Sequence, residues 1–139
     1  MGRAREIADL IGGTTPDIIL KTSDGAILNL QTSDTTVTAD SVLGAINFQA
    51  PDEASGTDAI LLGAGIDAVA EGTFSASSNA TKLSFKTASS AAASETMSLS
   101  SAGLLTIADD LVIGDDKTIG SASATDAITI SSAGKVTIT

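Results

Sequence analysis

Three stretches of the chain hold residue types whose spacing could support chemistry. The first is Gly63-Ala64-Gly65-Ile66-Asp67-Ala68, which follows the apolar Ile60-Leu61-Leu62. Its G-x-G-x-x-A spacing is that of a dinucleotide-binding turn, in which glycines let a pyrophosphate reach the N-terminus of the following helix. Such a site needs a long helix directly after the glycines and an acidic residue about 20 residues further on. Here Ala68-Val69-Ala70-Glu71 runs straight into Gly72, and Lys82–Lys86 ends in a basic residue. The sequence therefore assigns no cofactor to this stretch.

The second stretch holds the acid pairs Asp109-Asp110 and Asp115-Asp116, hard oxygen donors of the kind calcium takes. Neither an EF-hand loop nor a Gly-Gly-x-Gly-x-Asp series surrounds them, so they read as solvated turn acids and no metal ligand is assigned. The third is Ser100-Ser101, with its counterpart Ser131-Ser132. A nucleophilic serine needs a base, and the chain has no histidine, no G-x-S-x-G elbow and no phosphate-binding loop. No catalytic residue is assigned, and the chain is expected not to be an enzyme. With neither Trp nor Tyr, it also lacks the aromatic platforms commonly used to stack sugars. Asn79-Ala80-Thr81 is formally a glycosylation acceptor, meaningful only in a secretory pathway of which the sequence carries no sign.

Composition explains why chemistry is hard to find. Ser, Thr, Gly and Ala supply about half of the 139 residues, and large apolar residues are sparse and evenly spread. Ordering each residue costs roughly 1–2 kcal/mol of backbone entropy, and such small side chains bury little apolar area against it. One chain is thin material for its own core. Copies of the chain that share a core would remove the difficulty, and closed symmetry is the usual form of such assembly. A formal net charge of −10 with only seven Lys and Arg argues against a nucleic-acid partner. The absence of Cys leaves neither a disulfide framework nor a thiolate metal site. No apolar run approaches the roughly 20 residues that cross a bilayer, so no membrane insertion is expected. The N-terminus has no apolar region of a signal peptide, which predicts a soluble chain not secreted by that route.

The elements follow from periodicity. Gly2–Ile11 reads as a short helix with Ile7, Leu10 and Ile11 on one face, ended by Gly12-Gly13. A helix so short is marginal alone, which makes those three residues a candidate attachment or oligomer interface. Ile18–Lys21 and Ala26–Gln31 read as strands of a hairpin joined by Thr22-Ser23-Asp24-Gly25. Val42–Gln49 reads as a strand with Ile46 and Phe48 on one face, and Lys82–Lys86 as another with Leu83 and Phe85 on one face. Thr87–Ser94 is a loop or a weak helix, and Leu111–Ile113 with Thr118-Ile119 flank a tight hairpin at Gly114–Lys117.

One stretch returns. Ser100-Ser101-Ala102-Gly103-Leu104-Leu105-Thr106-Ile107 recurs 31 residues later as Ser131-Ser132-Ala133-Gly134-Lys135-Val136-Thr137-Ile138, identical at six of eight positions. Met97-Ser98-Leu99 aligns in the same frame with Ile128-Thr129-Ile130. The unit is a strand, a small-residue turn and a second strand, and a fixed period of this length points to repeating architecture. Gly103 and Gly134 are the structural turn glycines, expected at positive φ, and Leu105, Ile107, Val136 and Ile138 are candidates for a shared core.

Four segments, Val42–Ala50, Ala70–Ser75, Lys82–Thr87 and Glu95–Gly103, together resemble a module common in tail-fibre and appendage proteins of bacteriophages, notably marine ones. The resemblance spans residues 42–107, and Leu111–Gly120 with Ala127–Ile130 resembles strand-turn units strung along such fibres. It implies a virion component assembled in the host cytoplasm: a homotrimer attached to the particle through its N-terminus. Its partners would be other copies and other virion proteins such as tail or connector, with the host surface as a further candidate. An alternative is a phage adhesin or head-decoration protein that binds host glycan or capsid.

The expected fold class is mainly β: an elongated, repeat-containing structure (solenoid, prism or interleaved strands), homotrimeric, with a short N-terminal helix. The expected organisation is an N-terminal helix over 1–13, a β-hairpin region over 14–41, a fibre-like β module over 42–107 and a C-terminal β repeat unit over 108–139.

Overall fold

A computed structural model describes residues 19–50, 56–121, 123–130, 133–134 and 136–138. The helix expected over Gly2–Ile11, with Ile7, Leu10 and Ile11, lies outside the described residues. The chain divides into two compact units, Met1–Ser33 and Asp34–Thr139.

In the first unit the expected hairpin is not formed as a ladder. Residues 19–33 carry no strand; they bend at Ser23-Asp24, where the Asp24 N–H donates to the Thr22 hydroxyl at 3.3 Å and Gly25 adopts φ +95°. The Asp-Gly pair thus makes its turn without aligning the flanking runs. Two isolated strands gain too little on their own, and Ile19 and Ile27 stay 77% and 79% exposed.

The second unit is antiparallel β, with no helix among the described residues. Five strands form one meander in chain order: β1 (Val42–Gln49), β2 (Leu62–Ala70), β3 (Thr81–Thr87), β4 (Ser94–Leu99) and β5 (Leu105–Ile107). Three more form a second sheet in chain order: β6 (Lys117–Ser121), β7 (Ala124–Ile130) and β8 (Val136–Ile138). Apolar residues at alternate positions of β1 and β3 and the β-branched residues of β2 and β5 favour this pleated conformation. The Ala/Ser-rich stretch between β3 and β4 is a loop. Leu111–Ile113 is not a strand, contrary to expectation. Gly114–Lys117 is a turn closed by the Lys117 N–H on the Gly114 carbonyl at 3.2 Å, and β6 pairs forward with β7 instead.

The strand pairs that belong to the two copies of the repeated octapeptide share one register. Met97, Ser98 and Leu99 face Ile107, Thr106 and Leu105; shifted by 31 residues, Ile128, Thr129 and Ile130 face Ile138, Thr137 and Val136. In the first copy the Gly103 N–H donates to the Ser100 carbonyl, and the Ser100 N–H to the Leu104 carbonyl, each at 3.0 Å. The Ser100 hydroxyl accepts from the Leu104 N–H at 3.1 Å. A turn of this form puts its last residue in the left-handed region, where glycine is unstrained. Gly103 and Gly134 have φ +81° and +74°.

No atom lies within 4 Å of where a Cβ on Gly103 would sit, so a side chain there meets backbone strain alone. Gly103→Ala is expected to lower stability by roughly 1–2 kcal/mol and Gly103→Asn by less, read from urea denaturation.

Candidate functional site

The register of the five-stranded sheet sorts its side chains by chemistry. Ile46 opposes Ile66, Ile66 opposes Phe85, Phe85 opposes Met97 and Met97 opposes Ile107, so one unbroken row of large apolar residues crosses all five strands. The neighbouring row on this face is Gly44, Ala68, Leu83, Leu99 and Leu105. Phe48 and Ala64 extend the face on the other side. Of the candidates for a shared core, Leu105 and Ile107 are on this face; Val136 is exposed on β8.

No element among the described residues fully covers this face. Phe48 is 55% exposed, Leu105 54% and Leu99 41%. The one buried apolar residue among those described is Ala70, at the end of β2, held by a backbone bond to Ser41 at 2.9 Å and another to Asp40 at 2.8 Å.

The opposite face carries every ionisable group of the five strands: Asp67, Lys82, Lys86 and Glu95. Lys86 forms an ion pair with Asp67, and Lys82 pairs with Glu95 at 2.8 Å. Lys86 reaches Asp67 by lying across Gly65, where a Cβ would stand 3.4 Å from its Cε and 3.2 Å from the Asn47 Oδ1. The glycines of the G-x-G-x-x-A motif therefore lie inside strand β2 rather than in a strand-to-helix turn. At Gly65 the missing side chain makes room for a cross-strand lysine.

Beneath these side chains Asp67 and Ser84 are 5% and 3% exposed. The Asp67 Oδ1 has no protein hydrogen-bond partner, so the Lys86 pair is the main compensation for burying that carboxylate. Bonds from Lys82, then from Ser84, hold the Glu95 carboxyl below its ordinary value of 4.5 despite partial desolvation. The Glu95 carboxylate reciprocally raises the Lys82 ammonium. A third carboxylate, Glu71, accepts the Ser101 N–H at 3.0 Å and ties the end of β2 to the first repeat's turn.

The two acid pairs do not converge on a common site: Asp109, Asp110, Asp115 and Asp116 are exposed, and no group of three metal-ligating residues occurs among the described residues. Ser100 serves as a turn acceptor. An open groove of about 500 Å³ borders the end of the sheet, lined by Phe48, Leu61, Leu62, Ala64 and Ala91. Sequence reasoning missed the two ion pairs because their partners are remote in the chain. The signal was present in the shared face of Lys82 and Lys86, two strand periods apart.

Lys86→Met strands a buried carboxylate and is expected to cost about 2–3 kcal/mol, less than a fully enclosed pair because Lys86 keeps some exposure. The double change Asp67→Leu with Lys86→Met is expected to cost less than Lys86→Met alone. Paired denaturant titrations measure both. Because Glu95 has a lowered value in the folded chain, its contribution is fully present above pH 4.5 and is lost as pH falls through the lowered value. Melting temperature should fall across that acidic window, and Glu95→Gln should flatten the slope.

Comparison of the chain with protein-family models, with curated proteins and with solved structures returns no match.

Proposed function

We propose that this chain is a structural component of a bacteriophage virion: a tail fibre or fibre-like appendage, in its shaft or proximal part, that works as a homotrimer. The observation that carries the reading is the incomplete core. A strand-rich unit whose described residues bury one apolar side chain, Ala70, and present a whole apolar sheet face is built to be finished by other chains. The resemblance of residues 42–107 to appendage modules supplies the class of assembly, and the 31-residue offset between two hairpins of one register suits a shaft extended by repetition. Attachment to the particle falls to the N-terminal segment with Ile7, Leu10 and Ile11. Charge fits the role: the ionic groups of the large sheet neutralise one another, and the acidic surplus lies elsewhere, where it opposes sideways aggregation.

Size-exclusion chromatography with light scattering is expected to give the mass of three 13.7 kDa chains. A compact monomer at micromolar concentration overturns the trimer. Immunogold labelling of particles places the chain, and label on the head rather than the tail overturns the fibre assignment.

A further inference from the structure

We propose that the apolar face of the β1–β5 sheet is the surface on which copies of this chain meet, with the leucine ridge of one copy seated on the glycine-alanine hollow of the next. The inference rests on the fibre reading only in taking the assembly to consist of copies of one chain.

Three observations select another copy as the occupant. The face is free of charge. All four ionisable groups of the five strands stand on the opposite face, in two mutual pairs. Chains of formal net charge −10 repel one another, and this is a surface on which they can approach without bringing like charges together.

The face also carries its own complement. Along the row Gly44, Ala68, Leu83, Leu99 and Leu105, the β1–β2 side is low and the β3–β5 side is high. A ridge of three leucines beside a hollow of glycine and alanine fits the same surface on a second copy, and passing each ridge to the next hollow closes a ring. Packed sheets about 10 Å apart interdigitate in this way.

In extent the face is a small interface. Five strands about 4.8 Å apart, each giving about five residues of 3.3 Å, cover roughly 400 Å² in projection. Protruding side chains such as Phe48 and Leu105 raise the accessible area above that figure, towards the roughly 800 Å² per partner that stable complexes bury.

The chain has no cysteine, so single cysteines report contacts directly. Full-length Ala68→Cys (hollow) and Leu99→Cys (ridge) chains are mixed, unfolded, refolded together and oxidised. The expected result is a disulfide between the two variants, with none between copies of Thr106→Cys, which lies on the charged face. Leu99→Glu is expected to weaken association on the order of a hundredfold, by burying an unpaired charge. Thr106→Glu should leave it within about twofold, and circular dichroism should show that both variants keep their strands.

An oligomer that gives no Ala68–Leu99 disulfide, that cross-links through Thr106, or in which Met97→Cys reacts with maleimide as fast as an exposed thiol overturns this interface and leaves the fibre reading standing. A wild-type chain that is monomeric overturns both.

Discussion

The structure depends on the separation of apolar and charged side chains onto opposite faces of one antiparallel sheet. That separation follows from a single register: with Ile66 opposite Phe85, Asp67 must stand opposite Ser84 and every large apolar residue of β3 and β4 must share a side. In most half-buried sheets the apolar face is the buried one. Among the described residues the buried strand positions are Gly65 and Asp67 on β2, Ser84 on β3 and Ala70 at the end of β2, while Phe48, Leu99 and Leu105 are open. Among the described residues, the ion pairs with their long methylene stems form the cover of the sheet, and they cover the polar side.

Low complexity makes register the central problem of such a chain. Strands of Ala, Ser, Thr and Gly present few side chains that object to slipping, yet a slip of one residue sends the whole apolar set to the other face. Several devices oppose it. Irregularities in pairing occur between Val42 and Gly44, between Phe48 and Gln49, and between Phe85 and Lys86, and each fixes its ladder because a shifted strand would have to move the irregularity with it. Lys86 over Gly65 is a second device, since a slip would place the lysine stem against a side chain. The turn glycines are the third, because a left-handed residue cannot move along the chain without strain at its new position.

Much of the sheet was legible in the sequence, and the legible parts share a cause. Ile46–Gln49 and Lys82–Lys86 alternate apolar and polar residues, so period alone marks those strands and their faces. The octapeptide repeat marked both strand pairs and the positive φ of Gly103 and Gly134. The failures also share a cause. Ile18–Gln31 and Leu111–Lys117 have local strand and turn signals, but pairing is a non-local event, and β6 found its partner downstream. Gly63–Ala68 was not marked as a strand because its glycines were weighed by what they permit in the backbone. Gly65 is explained by what it makes room for. The ion pairs of the site could not be read at all without knowing that Asp67 and Lys86 occupy adjacent strands.

These constraints bear on why the chain is so poor in large residues. A core completed within one chain needs many bulky side chains on several elements; a core shared among copies needs only one well-patterned face per chain, since each neighbour supplies the other wall. Nine large apolar residues on that face, from Ile46 to Ile107, then suffice, and the remaining positions are free to be small. Small residues suit strands that must lie close to neighbours, and they keep exposed surfaces from becoming adhesive. The same economy makes isolated chains fragile. Within one chain, the sheet is held by backbone ladders, two ion pairs and the Glu71 clamp on Ser101. Under the proposed meeting of copies, assembly and folding would be one process rather than two, with the charged face determining the register and the apolar face making it permanent.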